Sequence, residues 1–214
     1  MRSNTYDCPE RHHAYQTGCA LEIRLDCLHV SPVSDVSEFY LETERLFLSP
    51  WTEADRETLI ALYANPLASR DFGRTLRREE SEKTFEKYRA AFSNYGFTRW
   101  KLTLKDGTFI GTTGLMRVID HQALGTHDEI GWRLLPEFWG KGYATEAASA
   151  AQEDAHNRCG IRGIITYTSP DNTASAAVMK RLGYIRTPDR DFSAHYPSVV
   201  GEWHGHVWDV PDPA

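Results

Sequence analysis

The segment that most limits what this chain can become is Trp139-Gly140-Lys141-Gly142-Tyr143-Ala144. It follows residues 129–135, which read as a strand halted by Pro136. It opens a run, 142–157, that places Ala144, Ala147, Ala148, Ala151 and Ala155 along one helical face. Strand, glycine-rich turn and helix in this order leave the first helical N–H groups unpaired. Together with the positive end of the helix dipole, they favour an anion in front of the turn. Two glycines let a diphosphate approach the backbone, and Lys141 can add a point charge. A tight corner without a ligand can be spelled the same way. Thr145 stands where a third glycine would complete a dinucleotide fingerprint, and no Walker sequence is present, so a nucleoside triphosphate or NAD is disfavoured.

The remaining pattern predicts one domain. Residues 1–40 mix His, Cys, Pro and Ser without periodicity and form an N-terminal extension of unknown role; residues 41–214 form the folded domain. A first strand at 45–49 ends at Pro50, and Thr52 caps a helix that buries Leu59, Leu62 and Tyr63. A second helix at 79–94 carries Ser81, Phe85, Tyr88 and Phe92 on one stripe. Strands at 98–104 and 108–116 are joined by Asp106-Gly107, a pair suited to a two-residue hairpin turn. After the alanine-rich helix come a buried strand at 163–168, a helix at 172–182 closed by Gly183, a strand from Tyr184 and a last strand at 203–210. The expected class is α+β with a mixed, mostly antiparallel central sheet flanked by helices.

Composition narrows the partners. With 24 Lys and Arg against 30 Asp and Glu, the net charge is -6. No basic cluster suits nucleic acid or an anionic membrane, and no apolar run approaches a membrane span or a secretory leader. A cytoplasmic location is expected. Cys8, Cys19 and Cys27 fall in the extension without a paired knuckle spacing, so no metal site is expected. Cys159 reads as a packing residue.

Three separated blocks carry a family likeness. Glu129-Ile-Gly-Trp-Arg-Leu-Leu-Pro-Glu-Phe-Trp-Gly-Lys-Gly-Tyr-Ala-Thr-Glu-Ala147 is followed by Asn172-Thr-Ala-Ser175 and Arg181-Leu-Gly-Tyr184, and all are preceded by a Leu-Glu-Thr-Glu-Arg-Leu opening at 41–46. Together they resemble the GNAT superfamily, in the branch containing the ribosomal-protein alanine N-acetyltransferases. The resemblance spans about residues 41–210. It implies a splayed sheet and acetyl-CoA as co-substrate, with backbone near Trp132 and Leu134 pairing with the pantetheine arm. The amides of Trp139, Gly140, Lys141, Gly142, Tyr143 and Ala144 would hold the diphosphate. It further implies the Leu134 amide as an oxyanion donor, Asn172 on the cofactor arm and Ser175 near the sulfur. Two positions depart from the family: Glu137 replaces a common Gln or Arg, and Met179 replaces a Tyr that often protonates the leaving thiolate.

The implied reaction is direct attack of a neutral primary amine, on a protein N-terminus or a small molecule, upon the thioester. An α-amine of pKa about 8 is roughly a tenth neutral at pH 7, a cost of about 1.4 kcal/mol, whereas a Lys side chain costs about 4.6 kcal/mol. Glu129 is the leading candidate base, with Asp128, His127 and His195 behind it. No Ser-His-Asp or Cys-His arrangement points to a covalent acyl-enzyme. Of the aromatic residues Trp51, Phe72, Tyr95, Phe97, Trp100 and Trp203, only Phe72 in the interhelical loop reads as facing a substrate. A non-catalytic acyl-CoA sensor and a phosphate- or nucleotide-binding regulatory domain are the alternatives, and a homodimer is the default assembly.

Overall fold

The computed structural model describes residues 41–196, 199 and 201–213. The extension, with Cys8, Cys19 and Cys27, lies outside the described residues. The elements are β1 (Leu41–Glu42), β2 (Leu46–Ser49), α1 (Arg56–Ala64), α2 (Arg78–Tyr95), β3 (Arg99–Leu104), β4 (Phe109–His121), β5 (Gly125–Leu134), α3 (Tyr143–Asn157), β6 (Ile165–Thr168), α4 (Thr173–Arg181), β7 (Ile185–Arg186), β8 (Phe192–Ala194) and β9 (Trp203–Asp209). The strands form one sheet in the order β1-β2-β3-β4-β5-β6-β9-β7, with β8 on β9. Every pairing is antiparallel except β5 with β6. The fold is the mixed, mostly antiparallel α+β sheet flanked by helices that the pattern predicts. Among the described residues, no helix is long and apolar enough to cross a membrane.

Strand alternation divides the apolar residues between two cores. Leu115 and its neighbour Met116 point to opposite faces. Leu115 joins Leu46, Leu48, Leu102, Ile110, Ile130 and the alanine face of α3 (Ala147, Ala148, Ala151, Ala155). Met116 joins Trp51 of the connection after β2, Leu59 and Tyr63 of α1, and Phe85 and Tyr88 of α2. Small side chains let α3 lie close to the sheet, which fixes where its N-terminus ends. Trp51, Phe97 and Trp100 are therefore core residues, and Tyr95 packs against both cores.

Some boundaries differ from expectation. The β3–β4 connection is a three-residue loop: the Gly107 N–H donates to the Leu104 carbonyl (3.0 Å), and the Leu104 N–H to that of Thr108 (2.9 Å). Gly107 alone takes a positive φ there, at 87°, while Asp106 instead accepts from the Thr108 N–H. That is a turn closed by a glycine bulge, which Asp-Gly serves as readily as a two-residue turn. β4 and β5 extend past the predicted ends as a long ribbon to Gly125. β8 is absent from the sequence reading because three residues, Phe192-Ser193-Ala194, carry too little alternation to register.

β5 and β6 pair at a single register position, Glu129↔Ile165, midway along β5 and at the start of β6. Beyond it they separate, and the wedge between them is the functional feature of the fold.

Candidate cofactor and acceptor site

The wedge opens into a cleft of about 1100 Å³. On β5 the pairing geometry decides which backbone groups face it. Gly111 lies opposite Leu134, and the N–H of Leu135 donates to the Ile110 carbonyl at 2.9 Å. Leu134 therefore belongs to a non-hydrogen-bonded pair whose N–H and C=O point away from β4. Trp132, two residues earlier, has the same orientation. These groups have no partner strand where β6 has diverged. The Trp139 indole donates to the Leu134 carbonyl at 2.8 Å, which leaves the Leu134 N–H toward the gap.

At the end of β5, Gly140 (φ 73°) and Gly142 (φ 82°) turn the chain into α3. Gly142 is the N-cap, and no side chain caps the helix. The first intrahelical donor is the Glu146 N–H, bonded to the Gly142 carbonyl, so the N–H groups of Tyr143, Ala144 and Thr145 have no intrahelical acceptor, and the buried Thr145 hydroxyl has no partner. This uncapped terminus lines the cleft. A diphosphate with its amide-bearing arm would satisfy these groups and the Leu134 amide, so the residues present fit a coenzyme A.

A cation at this turn comes from an unpredicted source. Arg45, between β1 and β2, pairs through Nε with Glu146 Oε2 (2.6 Å) and donates through Nη1 to the Lys141 carbonyl (2.9 Å). Its guanidinium lies 4.6 Å over the Tyr143 ring. Glu146 also accepts from the Thr43 hydroxyl (2.6 Å) and the Arg45 N–H (2.9 Å). Lys141 is not among the cleft residues; its ammonium lies 5.5 Å from the centre of the Phe138 ring. Glu137 is exposed and also stands outside the cleft.

On the opposite wall, the Asn172 side-chain oxygen caps α4 by accepting the Ser175 N–H at 3.2 Å. Only its NH2 remains to donate to a ligand. Asn172 and Ser175 both line the cleft; Met179 also borders it, but as a core side chain only 1% exposed. The slot of the family's Tyr thus holds a packing residue.

The cleft continues to the α1–α2 face. Alternation along β5 sends Glu129 and Arg133 to this side. Glu129 pairs with the buried Arg99 at 2.9 Å, and its charge helps to push up the pKa of the neighbouring Tyr167, after burial. Gly131 leaves the room that Arg99 fills: a Cβ there would sit 2.1 Å from its Nη1. Arg133 grips Asp71 with both Nη atoms (2.7 Å each) and holds the α1–α2 loop against β5. Phe72, stacked on Tyr63, enters the cleft as expected; Trp203, which the sequence pattern does not place toward a substrate, lines it as well. Lys87, Tyr88 and Tyr196 complete this end. Surrounding protein lowers the Lys87 pKa, opposed by the charge of Glu129. The other candidate bases lie elsewhere. Asp128 makes two bonds to Arg117 (2.9 and 2.6 Å), while His127 and His195 do not line the cleft. Among the described residues, no group of three His, Cys, Asp or Glu side chains could hold a metal.

The family model for the acetyltransferase (GNAT) domain matches residues 45–185. The chain belongs to the GNAT acetyltransferase family. It is accordingly an N-acetyltransferase, of a family that uses acetyl-CoA as co-substrate. This GNAT chain is 26% identical over 147 residues to the uncharacterized N-acetyltransferase YoaA of Bacillus subtilis, covering 67% of this chain and 81% of that protein. It superimposes on an acetyltransferase from Agrobacterium tumefaciens with a TM-score of 0.67 and 25% identity, over 86% of this chain and 97% of that one. An acetyltransferase from Salmonella typhimurium that modifies the N-terminal serine of 50S ribosomal subunit protein L7/L12 shares the fold. There the TM-score is 0.64 and the identity 18%, over 79% of this chain and 97% of that one.

Proposed function

We propose that the protein acetylates a primary α-amine by direct attack within a ternary complex. The observation that carries this is the continuity of the cleft: one space runs from the uncapped α3 terminus, past the outward-facing Leu134 amide, to Glu129. Diphosphate, thioester and amine can therefore be held in line. The neutral amine nitrogen bonds to the thioester carbon, the Leu134 N–H receives the developing oxyanion, and the C–S bond breaks with the electron pair passing to the CoA thiolate. Ser175 donates to that sulfur, and the amine proton leaves through water.

Glu129 enters this scheme as the seat of the incoming ammonium rather than as a free base. Arg99 already pairs with its carboxylate at 2.9 Å, so the carboxylate stands as one half of a buried ion pair. A site whose carboxylate is already paired suits an α-amine, which needs only about 1.4 kcal/mol to be neutral at pH 7, against about 4.6 kcal/mol for a Lys side chain.

Calorimetry with acetyl-CoA, CoA and ATP, followed by thiol release with α-amino peptides, polyamines and aminoglycosides, tests the reading. Binding of both CoA species without ATP, and intersecting double-reciprocal lines with an α-amine, are expected. Parallel lines, or an acetylated protein trapped in the absence of amine, would overturn the ternary mechanism.

A further inference from the structure

His121, at the end of β4, has an assignable proton. Its Nδ1 receives two backbone N–H groups, from Ala123 (3.3 Å) and Leu124 (3.1 Å). A nitrogen that accepts cannot also carry hydrogen, so the neutral ring is protonated at Nε2. Nε2 lies 2.6 Å from the Tyr196 hydroxyl oxygen. His121 is therefore the donor and Tyr196 the acceptor. The phenol's single hydrogen is turned away from His121, and the remaining space at Tyr196 is the cleft that it lines with Glu129, Tyr167 and Trp203. Ring contacts hold the pair: His121 edge-on to Phe192 at 4.8 Å, and Tyr196 edge-on to Trp203 at 5.8 Å. Burial, with the nearby charge of Glu129, pushes the Tyr196 phenol up to about 12, so the hydroxyl keeps its hydrogen at neutral pH.

The acceptor end consequently presents two kinds of group. Glu129 attracts a cation, whereas the Tyr196 O–H and the Lys87 ammonium both require an acceptor oxygen. We propose that Tyr196, its hydroxyl polarity set by His121, positions an α-amino carbonyl acceptor. The amine sits at Glu129, and the carbonyl or carboxylate oxygen on the neighbouring carbon accepts from Tyr196. This rests on the acetyl-transfer reading above. A free amino acid and a peptide N-terminus share that chemistry, while polyamines and simple alkylamines lack it.

Two measurements test the proposal. The first is independent of activity: the ring 15N resonances of His121, assigned by their loss in His121→Gln, are expected to report the neutral Nε2–H tautomer at neutral pH. An Nδ1–H ring or an imidazolium overturns the polarity argument. The second compares kcat/KM for alanine, alaninamide, an alanyl dipeptide and isopropylamine, each corrected for its neutral fraction. At least one carbonyl-bearing acceptor is expected to exceed isopropylamine by about tenfold or more, as for a site built to bond a substrate oxygen. Preference for alanine identifies a free amino acid as the source, and preference for the dipeptide identifies a peptide terminus. Tyr196→Phe is expected to reduce that preference about tenfold through acceptor KM, with unchanged acetyl-CoA affinity. His121→Phe should reproduce part of the loss. Equal use of isopropylamine, or an undiminished preference in Tyr196→Phe, overturns the assignment. Failure of the wild-type protein to bind acetyl-CoA would instead strike the underlying reading and leave the tautomer result standing.

Discussion

Arg45 and Glu146, 101 residues apart, meet at 2.6 Å and clamp the β1–β2 turn onto the first turn of α3. Nε and Nη1 of Arg45 are used on Glu146 and the Lys141 carbonyl, while the Nη2 edge faces Gly142. The same guanidinium thus sets the shape of the turn and supplies positive charge beside it. Arg45→Met is expected to weaken acetyl-CoA binding roughly tenfold, by about 1.5 kcal/mol, as for loss of one charge-assisted contact. Acetyl-pantetheine, which lacks the diphosphate, should lose much less. Calorimetry with the two donors makes the comparison, and equal losses would reduce Arg45 to a structural role.

Gly142 and Gly140 both have positive φ, but their surroundings differ. A Cβ on Gly142 would lie 3.3 Å from Arg45 Nη2, whereas Gly140 faces open space. Gly140→Ala should cost only the left-handed backbone penalty, about 1–2 kcal/mol of stability. Gly142→Ala should add a displacement of Arg45, with a further fall in acetyl-CoA affinity, and Gly142→Glu should abolish binding through charge. Equal affinities for the two alanine variants would place the diphosphate elsewhere.

The turn was legible because its signal is local. Glycines at fixed spacing, a preceding strand and an alanine stripe all lie within thirty residues, and the cofactor wall that they predict lines the cleft apart from Lys141. Asn172 and Ser175 were legible through a family likeness rather than through their own chemistry. Arg45 was not, since its partners lie about a hundred residues away and an Arg before a strand has no local signature. The same holds for Glu129, which the sequence offers as a free carboxylate. Its pairing with Arg99 depends on the missing side chain at Gly131, across a strand pair that only the sheet order brings together.

Ser175 stands in the first turn of α4 with its N–H taken by Asn172 and its hydroxyl at the cleft. Ser175→Ala keeps the cap and removes only the hydroxyl. Turnover should fall about tenfold, as for one hydrogen bond to a developing charge, with acetyl-CoA affinity nearly unchanged. A thiol-release assay under saturating substrates reads this, and wild-type turnover would remove Ser175 from the mechanism.

The Glu129–Arg99 pair is buried, with side chains 17% and 10% exposed. Removing one partner leaves a buried charge unanswered, so Glu129→Ala should destabilise the fold by about 3–5 kcal/mol. Pairing it with Arg99→Met should restore much of that. Acceptor KM should rise in both variants, because the ammonium seat is lost in both. Urea denaturation separates the two effects: recovered stability without recovered KM is the outcome that assigns Glu129 to the acceptor.

His121 also carries a pH signature. Burial, reinforced by the neighbouring His127 and opposed by Glu129, lowers its pKa below the ordinary 6.5. The other groups packed on it, Tyr167, Phe192 and Tyr196, carry no charge at neutral pH. With a depressed folded-state pKa, the unfolded chain takes up the proton first as pH falls. The contribution to stability is therefore complete above pH about 6.5 and is lost progressively as pH falls from there through the folded-state value. His121→Gln removes the titration but can keep a donor toward Tyr196. Urea midpoints at pH about 7.5 and about 5.5 should show a larger drop for the wild-type protein than for the variant. An identical drop would mean that the ring accepts its proton as readily in the folded protein as in the unfolded chain, which two amide N–H groups directed at Nδ1 should prevent.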